Sequence, residues 1–119
     1  MSKHPSRRQS EELLVITKMY DLVRELTVRV RKFPRDFRFV LGDRILRGAY
    51  DILDLLIEAK YSRQRRGLLT RANVRLEQVR FQIRLALDEK LLAINGYEHV
   101  ARMQNDVGRL LGGWLRGCD

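Results

Sequence analysis

Apolar side chains recur at helical spacing along almost the whole chain, and this periodicity constrains the fold more than any other feature. In the first of four such segments the apolar residues fall on one helix face; they are Val15, Ile16, Met19, Leu22, Val23, Leu26 and Val30. Proline occurs only twice, and the alternating pattern of a half-buried strand is missing. The sequence therefore predicts an all-α protein.

Start and stop signals divide the periodic pattern into four helices. Ser6 and Gln9 fit a capping box that starts the first helix near Ser6 or Ser10. This helix must end by Phe33, because the residue before Pro34 is pushed out of the α region. Pro34 then suits the first position of the second helix, where a missing N–H does no harm.

Two further turns follow from composition. Residues 61–67 contain Ser, Gln and three Arg and mark the break before the third helix. Residues 93–96 mark the next turn, because Asn95 and Glu98 match a second capping box. The inner faces of the last three helices consist of Leu41, Ile45, Ala49, Ile52 and Leu56, then Leu69, Ala72, Leu76, Val79, Ile83, Ala86 and Leu87, then Val100, Met103, Val107, Leu110, Leu111 and Trp114.

Four helices of roughly twenty residues with short connections specify an antiparallel up-down-up-down four-helix bundle about 30 Å long. We expect a flexible N-terminal tail over residues 1–9 and a single bundle domain over residues 10–117. No repeat, linker or low-complexity tract divides that domain.

The charge of the chain points to a polyanionic partner. The net charge is +9, and 19 of the 24 cations are Arg, whose guanidinium matches phosphate and carboxylate groups. Between Lys60 and Arg84 there are eight cations and a single acid, Glu77. We predict that this segment contacts phosphates through Arg63, Arg65, Arg66, Arg71, Arg75, Arg80 and Arg84. The alternative is an ordinary solvated Arg-rich face.

Stacking platforms for bases are not predicted. Phe33, Phe37 and Phe39 surround the first helix junction and are interpreted as a hydrophobic staple. Binding is therefore expected to involve the backbone and shape of a nucleic acid.

Two surfaces remain after the core is filled, and both suggest subunit packing. Val74, Phe81 and Leu85 form a second apolar stripe on the third helix. A strip of small residues lies beside the core face of the fourth helix and comprises Ala101, Asn105, Gly108 and Gly112. We predict an oligomer interface here. The alternative is that the glycines only accommodate neighbouring core side chains.

Composition argues against several function classes. Cys118 is the only cysteine, and no apolar run is long enough to span a membrane. His99 stands alone on the fourth helix, and no metal, phosphate-loop or nucleophile motif is present. We expect a cytoplasmic, non-enzymatic protein with no cofactor, metal, membrane partner or small-molecule substrate.

Three strings carry a resemblance to a known family: KFPRDFRFVLGDRI at residues 32–45, LLTRANVRLEQVRFQIRLALDEKLL at 68–92 and VGRLLGGWLRG at 107–117. They resemble the accessory variability determinant proteins of diversity-generating retroelements. That group is related to the four-helix-bundle proteins encoded within ribosomal RNA intervening sequences.

The resemblance implies a homopentameric ring of four-helix bundles that associates with a reverse transcriptase. It also implies binding to nucleic acid, with template RNA as the expected ligand and DNA as a second, in support of mutagenic cDNA synthesis. Within the matching strings, the candidates for charged contacts are Arg35, Arg38 and Arg44, those for the junction shape are Phe33, Pro34 and Gly42, and those for packing are Gly108, Gly112 and Trp114.

Two other functions remain open at this point. One is a stand-alone RNA-binding bundle of the intervening-sequence type. The other is a structural helical oligomer whose positive charge serves solubility alone.

Overall fold

A computed structural model of the chain describes residues 6–118. Its helices are α1 (Arg7–Arg31), α2 (Arg35–Phe37), α3 (Asp43–Tyr61), α4 (Arg65–Asp88) and α5 (Ile94–Arg116), and a π-helical segment, Arg38–Gly42, joins α2 to α3. The described range contains no strand, so the prediction of an all-α protein is confirmed. Because the backbone stays helical through the π-helical segment, α2, this segment and α3 act as one long helix.

The four long helices surround one core. α1 and α4 each pack against α3 and α5, and the buried apolar residues of all four form a single cluster. The predicted inner faces are buried except for four residues at their margins, which are partly buried: Ile16, Leu87, Met103 and Leu110. The four-helix bundle is therefore confirmed. Its longest dimension is 52 Å, more than the predicted length of about 30 Å, because a helix of α1's 25 residues already spans close to 40 Å at about 1.5 Å per residue.

The capping box at the start of α1 is confirmed. The Gln9 amide donates to the Ser6 hydroxyl at 3.1 Å, and the Ser6 amide donates to the Gln9 side chain at 2.9 Å. The helix consequently begins at Arg7, so residues 7–9 are helical and do not belong to the tail that was predicted over residues 1–9. Residues 1–5 of that tail lie outside the described residues.

The first junction follows the prediction with one shift. α1 ends at Arg31, and Pro34 is the N-cap of α2, with an extended ψ of 148°, instead of the first helical residue. Just beyond, Gly42 lies so close to α1 that a Cβ there would be 2.6 Å from Val30 Cγ1. The glycine therefore allows the π-helical segment to approach α1.

The last turn comes earlier than predicted. α4 ends at Asp88, and α5 starts at Ile94 without a side-chain cap, so the Asn95–Glu98 capping box is wrong. The chain reverses instead at Lys90, which adopts a left-handed φ of 62°. There the Leu91 amide donates to the Ala86 carbonyl at 2.8 Å, so one of the last carbonyls of α4 has a hydrogen-bond partner. None of the described helices has the length and apolar character that a membrane span requires.

Two helical glycines provide a matched test of this packing. A Cβ on Gly67 in α4 would meet nothing within 4 Å, whereas one on Gly48 in α3 would lie 2.7 Å from Val79 Cγ2. We expect Gly67→Ala to raise the free energy of unfolding by about 0.5–1 kcal/mol through helix propensity. Gly48→Ala should lower it by about 1 kcal/mol or more, because the core must shift. Urea unfolding at one fixed protein concentration measures both, and equal changes would contradict the packing described.

Candidate nucleic-acid interface

Cations collect at the end of the bundle where α3 meets α4. α3 ends at Tyr61, and the Gln64 amide donates to the Ser62 hydroxyl at 3.0 Å within the turn that follows. This turn and the first two turns of α4 present Arg63, Arg66 and Arg71, which line one surface groove. We call these three residues the basic end.

Arg65 lies in the same turn, but its guanidinium donates hydrogen bonds to other groups of the bundle. Its Nη1 donates to Glu12 Oε1 at 3.1 Å, its Nε to the Ser62 carbonyl at 3.0 Å and its Nη2 to the Lys60 carbonyl at 3.3 Å. Glu12 is 4% exposed, so Arg65 neutralises a buried carboxylate and ties α1 to the turn. This geometry favours a structural role for Arg65 over the predicted phosphate contact.

The Arg80 guanidinium likewise donates hydrogen bonds to other residues of the bundle. Its Nη1 donates to Asn105 Oδ1 at 2.9 Å and its Nη2 to the Gln104 carbonyl at 3.3 Å, which joins α4 to α5. A Cβ on Gly108 would lie 2.6 Å from Arg80 Nη2. Gly108 therefore makes room for the Arg80 guanidinium of its own chain, a side chain that does not belong to the core.

Arg66 forms a hydrogen bond with the C-terminal end of α5, and the sequence did not predict this bond. Its Nη2 donates to the Cys118 carbonyl at 2.6 Å, and Arg8 Nη2 donates to the Gly117 carbonyl at 2.7 Å. The two bonds satisfy carbonyls after the last turn of α5, where no intrahelical donor is available. Arg66 remains exposed, so its guanidinium stays accessible to a ligand. Arg8, which the prediction omitted, joins it only because the fold brings α1 to this end.

Arg75 and Arg84 are exposed but paired with acids. Arg75 Nη2 lies 4.0 Å from Asp51 Oδ2, and Arg84 Nε lies 3.3 Å from Asp88 Oδ1. The hydrogen bond that Arg84 donates to the Asp88 carboxylate, and the negative charge of that carboxylate, raise the pKa of Arg84 above its ordinary value. Exposed pairs of this kind contribute about 0–1 kcal/mol, so a phosphate can compete with the carboxylate for either arginine.

Arg63 and Arg71 differ from the other five arginines of the predicted cluster. Both are exposed, and neither forms an ion pair or a side-chain hydrogen bond with any residue from 6 to 118. Their hydrogen-bond donors are therefore available to a ligand. Together with Arg66 they are the part of the predicted cluster that is best arranged to bind phosphate.

The remaining predicted cations lie at the other end of the bundle. Arg35 belongs to α2, Arg38 to the π-helical segment and Arg44 to α3, and all three are exposed. The length of α1 separates them from the basic end, since Arg65 contacts Glu12 in the first turns of α1. The ten predicted arginines therefore do not form one surface: Arg63, Arg66 and Arg71 lie at the basic end, and Arg35, Arg38 and Arg44 lie at the opposite end.

Some of the predicted interface residues are exposed and others are half-buried. Val74, Phe81 and Leu85 on α4 are 53%, 75% and 47% exposed, which leaves an apolar surface outside the core. Ala101 and Gly112 on α5 are half-buried. A Cβ on Gly112 would lie 3.3 Å from Arg116 Nη1, a side chain of the same helix.

The chain matches a known protein family. A family model described as bAvd-like matches residues 13–118, which include most of α1, all of α3, α4 and α5, and the ten predicted arginines. No curated protein matches the chain at a significant level.

Proposed function

Because this chain belongs to the bAvd-like family, we propose that it is a non-enzymatic accessory protein of a diversity-generating retroelement. In this proposal it binds the reverse transcriptase and the template RNA of the element in the cytoplasm and supports mutagenic cDNA synthesis. The polymerase chemistry belongs to the partner.

The observation that carries the RNA part of the proposal is the basic end. Arg63 and Arg71 are exposed cations without an acidic partner among residues 6–118, and Arg66 lies between them in the same groove. Arginine contacts to phosphate bind the backbone of a nucleic acid without reading its bases. A structured RNA is the ligand that fits this surface, and DNA is a second.

We further propose that the helices run antiparallel in up-down-up-down order and that the bundle assembles as a homopentameric ring. The exposed stripe of Val74, Phe81 and Leu85 supports a contact between subunits, because apolar patches of this kind usually mark interfaces. Ala101 and Gly112 belong to the same proposed interface, whereas Gly108 is occupied by Arg80 of its own chain. Light scattering of the purified protein tests the assembly, and a monomer at micromolar concentration would contradict it.

RNA binding should depend steeply on salt. If the basic end contacts three phosphates of a single strand, a plot of log affinity against log salt concentration should have a slope of about −2 or steeper. Filter binding or fluorescence anisotropy across a salt series measures this slope. A flat response would exclude phosphate neutralisation and would favour a structural oligomer whose charge serves solubility.

Binding to the polymerase needs its own experiment. We expect the tagged protein to co-purify with the reverse transcriptase of a retroelement, with the mass of the complex showing a fixed stoichiometry. RNA binding without capture of the polymerase would favour the stand-alone RNA-binding bundle.

A further inference from the structure

Phe39 is an exposed aromatic residue at the junction of α1 and α3. It is 71% exposed, whereas Phe33 in the same junction is 4% exposed and belongs to the core. The interpretation of Phe39 as part of a hydrophobic staple is therefore wrong, because a staple residue packs against the helix that it flanks. A side chain with this exposure is accessible to a ligand over most of its surface.

The π-helical segment explains why Phe39 lies outside. Leu41 and Gly42 of this segment are buried, and Gly42 packs against Val30 of α1. With these two residues turned inward, Phe39 and Val40 occupy the outer side, and Val40 is 73% exposed. Such π-helical insertions occur frequently at functional sites.

The surroundings of Phe39 are strongly cationic. Residues 31–47 contain six cations and two carboxylates, and one carboxylate, Asp43, already accepts a 2.8 Å hydrogen bond from Arg47. Arg31, Arg35 and Arg38 form no ion pair with any described residue. These three arginines and Phe39 line a groove of about 520 Å³, in which Asp43, the carboxylate paired with Arg47, is the acidic residue.

We propose that this groove, the stacking groove, binds single-stranded RNA. An unpaired base stacks on the Phe39 ring, and Arg35 and Arg38 contact the phosphates on either side. The inference rests on the proposed function, because it requires that the protein binds RNA. An unpaired part of that RNA binds the stacking groove, and the basic end contacts the phosphate backbone of another part.

The chemistry favours RNA over a protein partner here. Aromatic platforms within a cationic groove are the arrangement by which proteins hold single strands, because every base offers a face for stacking and every nucleotide a phosphate. Phe and Arg are also common in protein interfaces, but an RNA strand supplies a base for the ring and a phosphate for each arginine without a dedicated acidic surface. Two arginines with no acidic partner beside an open ring match this arrangement.

Replacing Phe39 with alanine in the full-length protein tests the proposal. We expect the affinity for a short unstructured RNA to fall by about 5-fold to 150-fold, the range for loss of one stacked base. Affinity for an RNA duplex should change little, since paired bases are not available for stacking. Tyr20→Ala is the matched control, because Tyr20 is an aromatic residue of α1 that is 53% exposed and does not line the groove.

A second variant reports on stacking directly. Phe39→Trp should retain affinity, and its indole fluorescence should be quenched when the unstructured RNA binds. The native Trp114 is 7% exposed, so the wild-type protein should show little quenching under the same conditions.

The outcomes separate this proposal from the proposed function. If wild-type protein binds RNA and Phe39→Ala binds the unstructured RNA equally well, the stacking groove is overturned while the proposed function stands. If Phe39→Ala loses only the capture of reverse transcriptase, the groove docks a protein, and the RNA assignment is overturned. Wild-type protein that binds no RNA overturns both.

Discussion

Reversing the charge of the basic end, by replacing Arg63, Arg66 and Arg71 together with Glu, is expected to weaken RNA binding by about 100-fold or more. Each residue is exposed, and all three line one groove, so the variant loses three phosphate contacts and adds repulsion. The slope of log affinity against log salt concentration should become less negative by about two, which is the contribution of three phosphate contacts on a single strand. Fluorescence anisotropy with a fixed RNA at several salt concentrations measures both quantities.

A matched variant separates this surface from net charge. Lys18, Arg24 and Lys90 are exposed, and none forms an ion pair with another described residue. Replacing these three with Glu changes the total charge by the same amount away from the groove, and we expect only a small loss of affinity. Equal losses in the two variants would show that the general field of the protein attracts RNA and that the basic end has no special part.

Arg65→Ala should be the most destabilising single substitution at this end of the bundle. Arg65 makes three hydrogen bonds, and one of them neutralises Glu12, whose side chain is 5% exposed. Removing one partner leaves a buried charge without compensation, which typically costs about 3–5 kcal/mol. Arg65 is 33% exposed and Arg8 lies 3.9 Å from Glu12, so we expect a loss of about 2–4 kcal/mol in the free energy of unfolding.

The turn also supplies the control. Arg63→Ala removes an arginine from the same turn, one without a partner among the described residues, and should change stability by less than about 0.5 kcal/mol. The Glu12→Gln, Arg65→Ala double variant should be less unstable than the sum of its single changes, since no uncompensated charge remains. Urea unfolding at one protein concentration tests this, and additive effects would show that Arg65 stabilises the turn without neutralising Glu12.

Most of the fold followed from the sequence because helix formation is a local property. The apolar period placed Val15, Ile52 and Leu111 in the core, and all three are buried. Capping was predictable where a side chain provides it, as at Ser6. The prediction of a cap at Asn95 was wrong, because the start of α5 has no side-chain cap. The turn before it is formed by backbone hydrogen bonds and by the left-handed Lys90.

The candidate sites were less predictable because they depend on which residues of distant helices meet. Arg65 and Arg71 are both arginines of one helix, and only the position of Glu12 on α1 distinguishes their roles. Gly108 looked like a site for another subunit until the fold placed Arg80 above it. Phe39 looked like a packing residue, because the period of the sequence gives no sign of a π-helical segment.

The sequence alone determined that the chain is helical, where its core residues lie and that it carries an excess of arginine, since periodicity and composition are properties of the chain itself. Only the tertiary structure decided which arginines are available to a ligand. The Arg65 guanidinium donates to a buried carboxylate and to two carbonyls and has few donors left, and that carboxylate, Glu12, lies on another helix 53 residues away in sequence. Availability is therefore a property of the packed bundle and not of any local segment.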